Sequence, residues 1–232
     1  MTHTLLSTTL FGSLFVLTAC TQSADINSKN DEAFSGTFAV IDNAARDDLL
    51  RCGVDQDEFN RLLSLPEKKF DQDFEGGWRA ISYKETCDNA AAEMIKAYIL
   101  YSEPAPADNQ NILRWHAGQT KAGAGHYDEA ISLFKGTYEP DEDQGIAWNY
   151  YVDATLAFLQ NDREGLALAH DNLAKVTVSE AEKAARRKFL RDNPKISMPE
   201  GFVDNPSNLE PVQSLLRCFG QPYSEAYGRC EK

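Results

Sequence analysis

Residues 125–134 read Gly125-His126-Tyr127-Asp128-Glu129-Ala130-Ile131-Ser132-Leu133-Phe134. Gly125 is a turn residue, and after it Tyr127, Ala130 and Phe134 place aromatic and small side chains at helical spacing. Further along, Trp148, Tyr151, Val152, Thr155, Phe158 and Leu159 make one stripe, and Tyr150, Ala154 and Ala157 make a second. A helix apolar on two sides must be buried between neighbours. Small residues at Gly118, Ala154 and Ala157 let helices approach closely. Sustained two-residue alternation, the mark of a half-buried strand, is missing. The chain therefore reads as all-α.

The flanks read the same way. Asp42 can cap a helix reaching Cys52, with Gly53 as its stop, and Asp55 can cap another with Phe59, Leu62 and Leu63 on one face. Pro66 suits the first turn of a third. Gly76-Gly77 interrupts before a short helix from Trp78 towards Tyr83. Asp88 opens a stronger helix in which Ala91, Met94, Ile95, Tyr98 and Ile99 recur, ended by Pro104-Ala105-Pro106. Ser179 to Arg191 is helical and locally basic; a last helix carries Leu209, Val212, Leu215, Leu216 and Phe219. Trp148 is expected to be substantially buried.

Residues 111–137 resemble one tetratricopeptide-repeat unit. Gly118, Gly125, Tyr127, Ala130 and Phe134 fall at that family's small, turn, aromatic, small and aromatic positions. A poorer copy spans about 147–174, with its turn at Asn161-Asp162 near the family period of about 34 residues. Arg114, Lys121 and Thr137 depart from the pattern, standing where apolar or small residues are usual, and the closing proline comes late, at Pro140. The resemblance implies an antiparallel helix-pair array with a surface that binds peptides or helices. On this reading Arg114 and Lys121 are exposed and available to a carboxylate-bearing partner.

The N-terminus carries a second resemblance. Leu5 to Ala19 form a short apolar segment followed at once by Cys20, and Leu17-Thr18-Ala19-Cys20 resembles the lipobox of bacterial lipoproteins, although residues 1–4 carry no Lys or Arg. The resemblance implies a signal peptide over 1–19, cleavage before Cys20 and acylation of that residue. Two or more acyl chains hold a protein stably at a bilayer. Residues 21–36 are polar and small and read, with Cys20, as a tether, leaving 37–232 as one helical domain. Thr21 stands where an Asp resembles an inner-membrane retention signal, so the expected location is the periplasmic face of the outer membrane.

Export fits the cysteines. Setting Cys20 aside leaves Cys52, Cys87, Cys218 and Cys230, an even number suited to disulfides in an oxidising compartment. Of three connectivities, Cys52–Cys87 with Cys218–Cys230 closes the smallest loops, 35 and 12 residues. The rival, a four-cysteine zinc site, lacks any C-x2-C pair.

Chemistry is sparse. No H-E-x-x-H, G-x-S-x-G or phosphate loop occurs. His116 lies beside Trp115, His126 falls in a turn, and His170 sits between Leu166 and Leu173 at helical spacing, as a packing residue does. The acidic clusters Asp71-Gln72-Asp73-Phe74-Glu75 and Asp141-Glu142-Asp143 match no calcium loop and read as solvated. The basic run Lys183, Arg186, Arg187, Lys188 reads as a solvated helix face. With 23 basic against 36 acidic residues the net charge is -13, which argues against nucleic-acid binding. The expectation is a non-enzymatic, cofactor-free adaptor that is lipid-anchored in the cell envelope and contacts another envelope protein. The alternatives are an envelope hydrolase with a scattered site and a structural lipoprotein without a stable partner.

Overall fold

The computed structural model describes residues 38–39, 41–102, 110–140, 145–198, 201–227 and 230. Cys20, the 1–19 leader, the 20–36 tether, the 104–106 turn and the 141–143 acidic cluster lie outside the described residues.

The architecture is all-α, with no strand among the described residues. The helices are α1 (Asn43–Arg51), α2 (Gln56–Leu63), α3 (Glu67–Asp71), α4 (Arg79–Ser82), α5 (Asp88–Tyr101), α6 (Gln110–Gly123), α7 (Tyr127–Lys135), α8 (Gly145–Leu159), α9 (Arg163–Ala174), α10 (Glu180–Asp192), α11 (Leu209–Arg217) and α12 (Tyr223–Ala226). Local chemistry sets the boundaries. The Asp42 carboxylate accepts from the Ala44 amide at 2.9 Å, Asp55 from Glu58 at 2.9 Å and Ser179 from Glu182 at 3.2 Å. Pro66 precedes α3 as its N-cap, one residue outside the expected first turn, in an extended conformation that its ring permits.

Helices α6 and α7 pack as a pair across the turn at residues 124–126, and α8 and α9 pack across residues 160–162. The left-handed backbone that each turn needs falls on Gly125 (φ 82°) and Asn161 (φ 58°). The first pair is tight: a Cβ on Gly118 would lie 2.7 Å from the Phe134 ring. This arrangement is compatible with stacked tetratricopeptide units.

Two apolar clusters form. In the first, Leu49, Phe59, Phe70, Met94, Ile95 and Tyr98 meet Leu113 and Ala117 of α6. In the second, Trp115 of α6 meets Phe134, Tyr151, Val152, Leu166, Val212 and Tyr223. Trp115 touches three rings, those of Phe134, Tyr151 and Trp148, at centroid distances of 4.4, 4.5 and 4.8 Å. It is Trp115, at 2% exposure, that is fully enclosed. Trp148 is only half-buried, because its indole N–H reaches the Thr137 carbonyl (2.7 Å) at the rim of the cluster.

Disulfides staple both ends. Cys52–Cys87 ties the end of α1 to the start of α5, and Cys218–Cys230 closes the tail that carries α12. Their Cα–Cα distances are 5.8 and 6.0 Å. The basic run of α10 is not simply solvated. Arg186 donates to the carbonyls of Phe202 (2.8 Å) and Asn205 (2.6 Å) and to Ser207 Oγ (2.7 Å), and so pins the loop ahead of α11.

Candidate functional site: an arginine–aromatic cleft

The structure separates the two basic residues of α6. Lys121 is 2% exposed. Its Nζ lies 2.6 Å from a Glu93 oxygen, 2.8 Å from a Glu129 oxygen and 2.8 Å from Asn89 Oδ1. Asn89 in turn donates to Asp48 of α1, and Lys96 pairs with Glu93 at 2.9 Å. Burial alone would lower the Lys121 pKa. The hydrogen bonds and charges of Glu129 and Glu93 reverse this and hold it above the ordinary lysine value. The expectation of an exposed Lys121 is therefore corrected. The residue faces inward, and acidic groups on α5 and α7 neutralise it there. Arg114 is half-buried and donates to the Gly136 carbonyl at 3.0 Å, which closes the C-terminus of α7.

A second correction concerns Asp71, which is fully buried rather than solvated. Its carboxylate accepts from the Trp78 indole at 2.9 Å and from the Gln72 amide, and it meets His116 Nδ1 at 2.7 Å. Burial pushes the Asp71 pKa up, but His116, Trp78 and Gln72 together outweigh it and leave the carboxyl below the ordinary aspartate range. Asp71 and His116 resemble the orienting half of an acid–base dyad. Among the described residues no hydroxyl is hydrogen-bonded to the other His116 nitrogen, and His116 does not line the cleft described next.

A cleft of about 320 Å³ opens between α4, the start of α5, the end of α6 and α12. Trp78, Arg79, Tyr83, Gln119, Tyr223 and Tyr227 form its main walls, and Asp88 also lines it. The Arg79 guanidinium carbon sits 4.2 Å from the Trp78 ring centroid and 5.6 Å from that of Phe74. Arg79 makes no ion pair among the described residues, and its Nη1 is buried without a protein hydrogen-bond partner. Burial pulls its pKa below the ordinary guanidinium value, with Asp71 and Tyr83 offsetting part of that. On the far wall Tyr223 and Tyr227 stack at 5.1 Å, and the Tyr227 hydroxyl is 2.7 Å from that of Tyr151. The tail is docked there by the Tyr223 backbone N–H, which donates to the Tyr127 hydroxyl at 3.1 Å. Phe74 and Tyr83 stand 72% and 68% exposed.

Sequence reasoning missed this cleft. The adjacency of Trp78 and Arg79 and the four-residue spacing of Tyr223 and Tyr227 were the available signals, but only tertiary docking brings them together. Among the described residues no group of three potential ligands could hold a metal ion, and Cys52, Cys87, Cys218 and Cys230 are all in disulfides. Searches of family models, curated proteins and solved structures found no match to this chain.

Proposed function

We propose that the chain is a helical adaptor, held at the envelope membrane through acylated Cys20 and engaging another envelope protein through the cleft beside Arg79. The observation that carries the reading is the composition of the cleft. Trp, Tyr and Arg dominate the energetic centres of protein interfaces, and Trp78, Arg79, Tyr83, Tyr223 and Tyr227 converge on one opening. The Tyr83 and Phe74 rings at the surface add apolar area that a partner can cover. A hydrolase reading would draw on Asp71 and His116. With no hydroxyl on the other His116 nitrogen among the described residues, the bonds from Asp71 at the end of α3 to Trp78 and to His116 of α6 fit a structural strut better.

The test is position-specific photo-crosslinking in intact cells. A crosslinker at Tyr83 is expected to capture a discrete partner, and one at Leu168, 63% exposed on α9, is not. Equal capture from both positions, or none from Tyr83, would overturn the reading. Cys20→Ser is expected to move the chain to the soluble fraction; unchanged membrane association would overturn the anchor.

A further inference from the structure

We infer that the cleft binds the carboxylate of a peptide ligand, gripped by Arg79 and covered by the rings around it. The cation is already in place: Trp78 and Phe74 hold the guanidinium, so little side-chain freedom remains to be lost on binding. Among the described residues no acidic group forms an ion pair with it, and its Nη1 has no hydrogen-bond partner. A planar guanidinium matches a carboxylate with two parallel hydrogen bonds.

The other wall groups narrow the ligand. Among the described residues Arg79 and Asp88 are the cation and the anion that line the cleft, and their formal charges cancel. A monoanion at Arg79 is balanced there, whereas a phosphate dianion would face one cation and a nearby carboxylate. Asp88 is already engaged by the Ser82 hydroxyl at 2.5 Å, and its remaining acceptor capacity suits an amide N–H. Gln119, whose amide faces the Tyr223 and Tyr227 hydroxyls, adds a polar group, and Tyr223 with Tyr227 adds an aromatic wall. A carboxylate with an amide and apolar carbon close by is what a peptide presents, at an acidic side chain or at a C-terminus. The net charge of -13 repels anions at long range, so recognition rests on these short-range contacts. That the ligand is a peptide rests on the adaptor reading; the preference for carboxylate does not.

The experiment follows the Trp78 indole resonance of the ¹⁵N-labelled full-length chain during titration. The four probes are acetyl-Ala-Gln-Ala-Tyr with a free C-terminus, acetyl-Ala-Glu-Ala-Tyr-amide, neutral acetyl-Ala-Gln-Ala-Tyr-amide and inorganic phosphate. At least one carboxylate peptide is expected to shift the resonance saturably, and which one does identifies terminus or side chain. The neutral peptide and phosphate are expected to bind at least about tenfold more weakly, and Arg79→Gln to weaken the carboxylate peptide at least about tenfold. Arg79→Lys, which keeps the charge and loses the fork, is expected to weaken it several-fold. If Arg79→Gln does not fold, Arg79→Lys and the exposed-site variant Tyr83→Ala carry the test, each with a several-fold loss. No saturable shift, phosphate binding as tight as peptide, or unchanged affinity in the folded Arg79 variants overturns the proposal. Failure here with Tyr83 crosslinks retained in cells would remove the ligand assignment and leave the adaptor. Peptide binding without crosslinks would do the reverse.

Discussion

The Phe134 ring occupies the space a side chain on Gly118 would need, with 2.7 Å between a Cβ there and ring carbon Cε1. This contact sets the approach of α6 to α7. Gly118→Ala gains about 1 kcal/mol in helix propensity, yet overpacking a tight core costs about 1–3 kcal/mol. The expected result is net destabilisation by urea denaturation. Phe134→Leu in the same chain should make the alanine less harmful, a positive coupling in a double-mutant cycle.

Lys121 lies between Glu93, Glu129 and Asn89 with almost no solvent contact. Lys121→Met keeps the volume but leaves Glu93, whose side chain is 14% exposed, to Lys96 alone. Removing one partner of a fully buried pair costs about 3–5 kcal/mol; because Lys96 still holds Glu93 and Glu129 is half-exposed and can turn to water, a smaller loss of about 1–3 kcal/mol is expected. Adding Glu93→Gln should recover part of the loss, and a double variant no more stable than Lys121→Met would contradict the pairing.

Asp71 links pH to stability. Its folded pKa is depressed, so its contribution is fully present above the unfolded value of about 3.9 and is lost as pH falls through the folded value. The stability difference between the parent and Asp71→Asn should shrink as pH falls below about 4. Loss of the carboxylate should cost about 1–3 kcal/mol at neutral pH, because Trp78 and His116 lose their charged acceptor. A difference that widens on acidification would reverse the assigned sign.

The two staples should differ in weight. In the chain-entropy model the Cys52–Cys87 loop of 35 residues is worth about 3.8 kcal/mol and the Cys218–Cys230 loop of 12 about 2.8 kcal/mol. Replacing the first pair with alanines should lower the denaturation midpoint more than replacing the second. The second replacement should act first on the cleft, because the tail between those cysteines carries Tyr223 and Tyr227. Weakened carboxylate-peptide binding, together with a smaller loss of global stability than the first replacement causes, is the signature to look for.

Helices were legible wherever cap chemistry and apolar spacing agreed. Asp42, Asp55 and Ser179 marked starts, Gly53 and Gly125 marked turns, and the two stripes on α8 implied neighbours on both sides. The cysteine pairing followed from loop size. What could not be read was the fate of polar residues whose partners lie far along the chain. Lys121 looked like a misfit because Glu93 is on another helix. Asp71 looked solvated within its acidic cluster because His116 lies 45 residues away. Trp148 and Trp115 were indistinguishable by periodicity, and only the packing of α8 against α6 put one at the centre and the other at the rim.

Helix α6 contributes Leu113 and Ala117 to one apolar cluster and Trp115 to the other, and Gln119 to the cleft. The cleft walls repeat this division: Trp78 belongs to the first cluster and Tyr223 to the second. A ligand seated there bridges both halves across their common partition. Its binding energy therefore adds to the free energy of unfolding the chain as one unit, by thermodynamic linkage. Occupancy of the cleft would register as resistance of the whole protein to heat and proteases, far beyond the few residues the ligand touches.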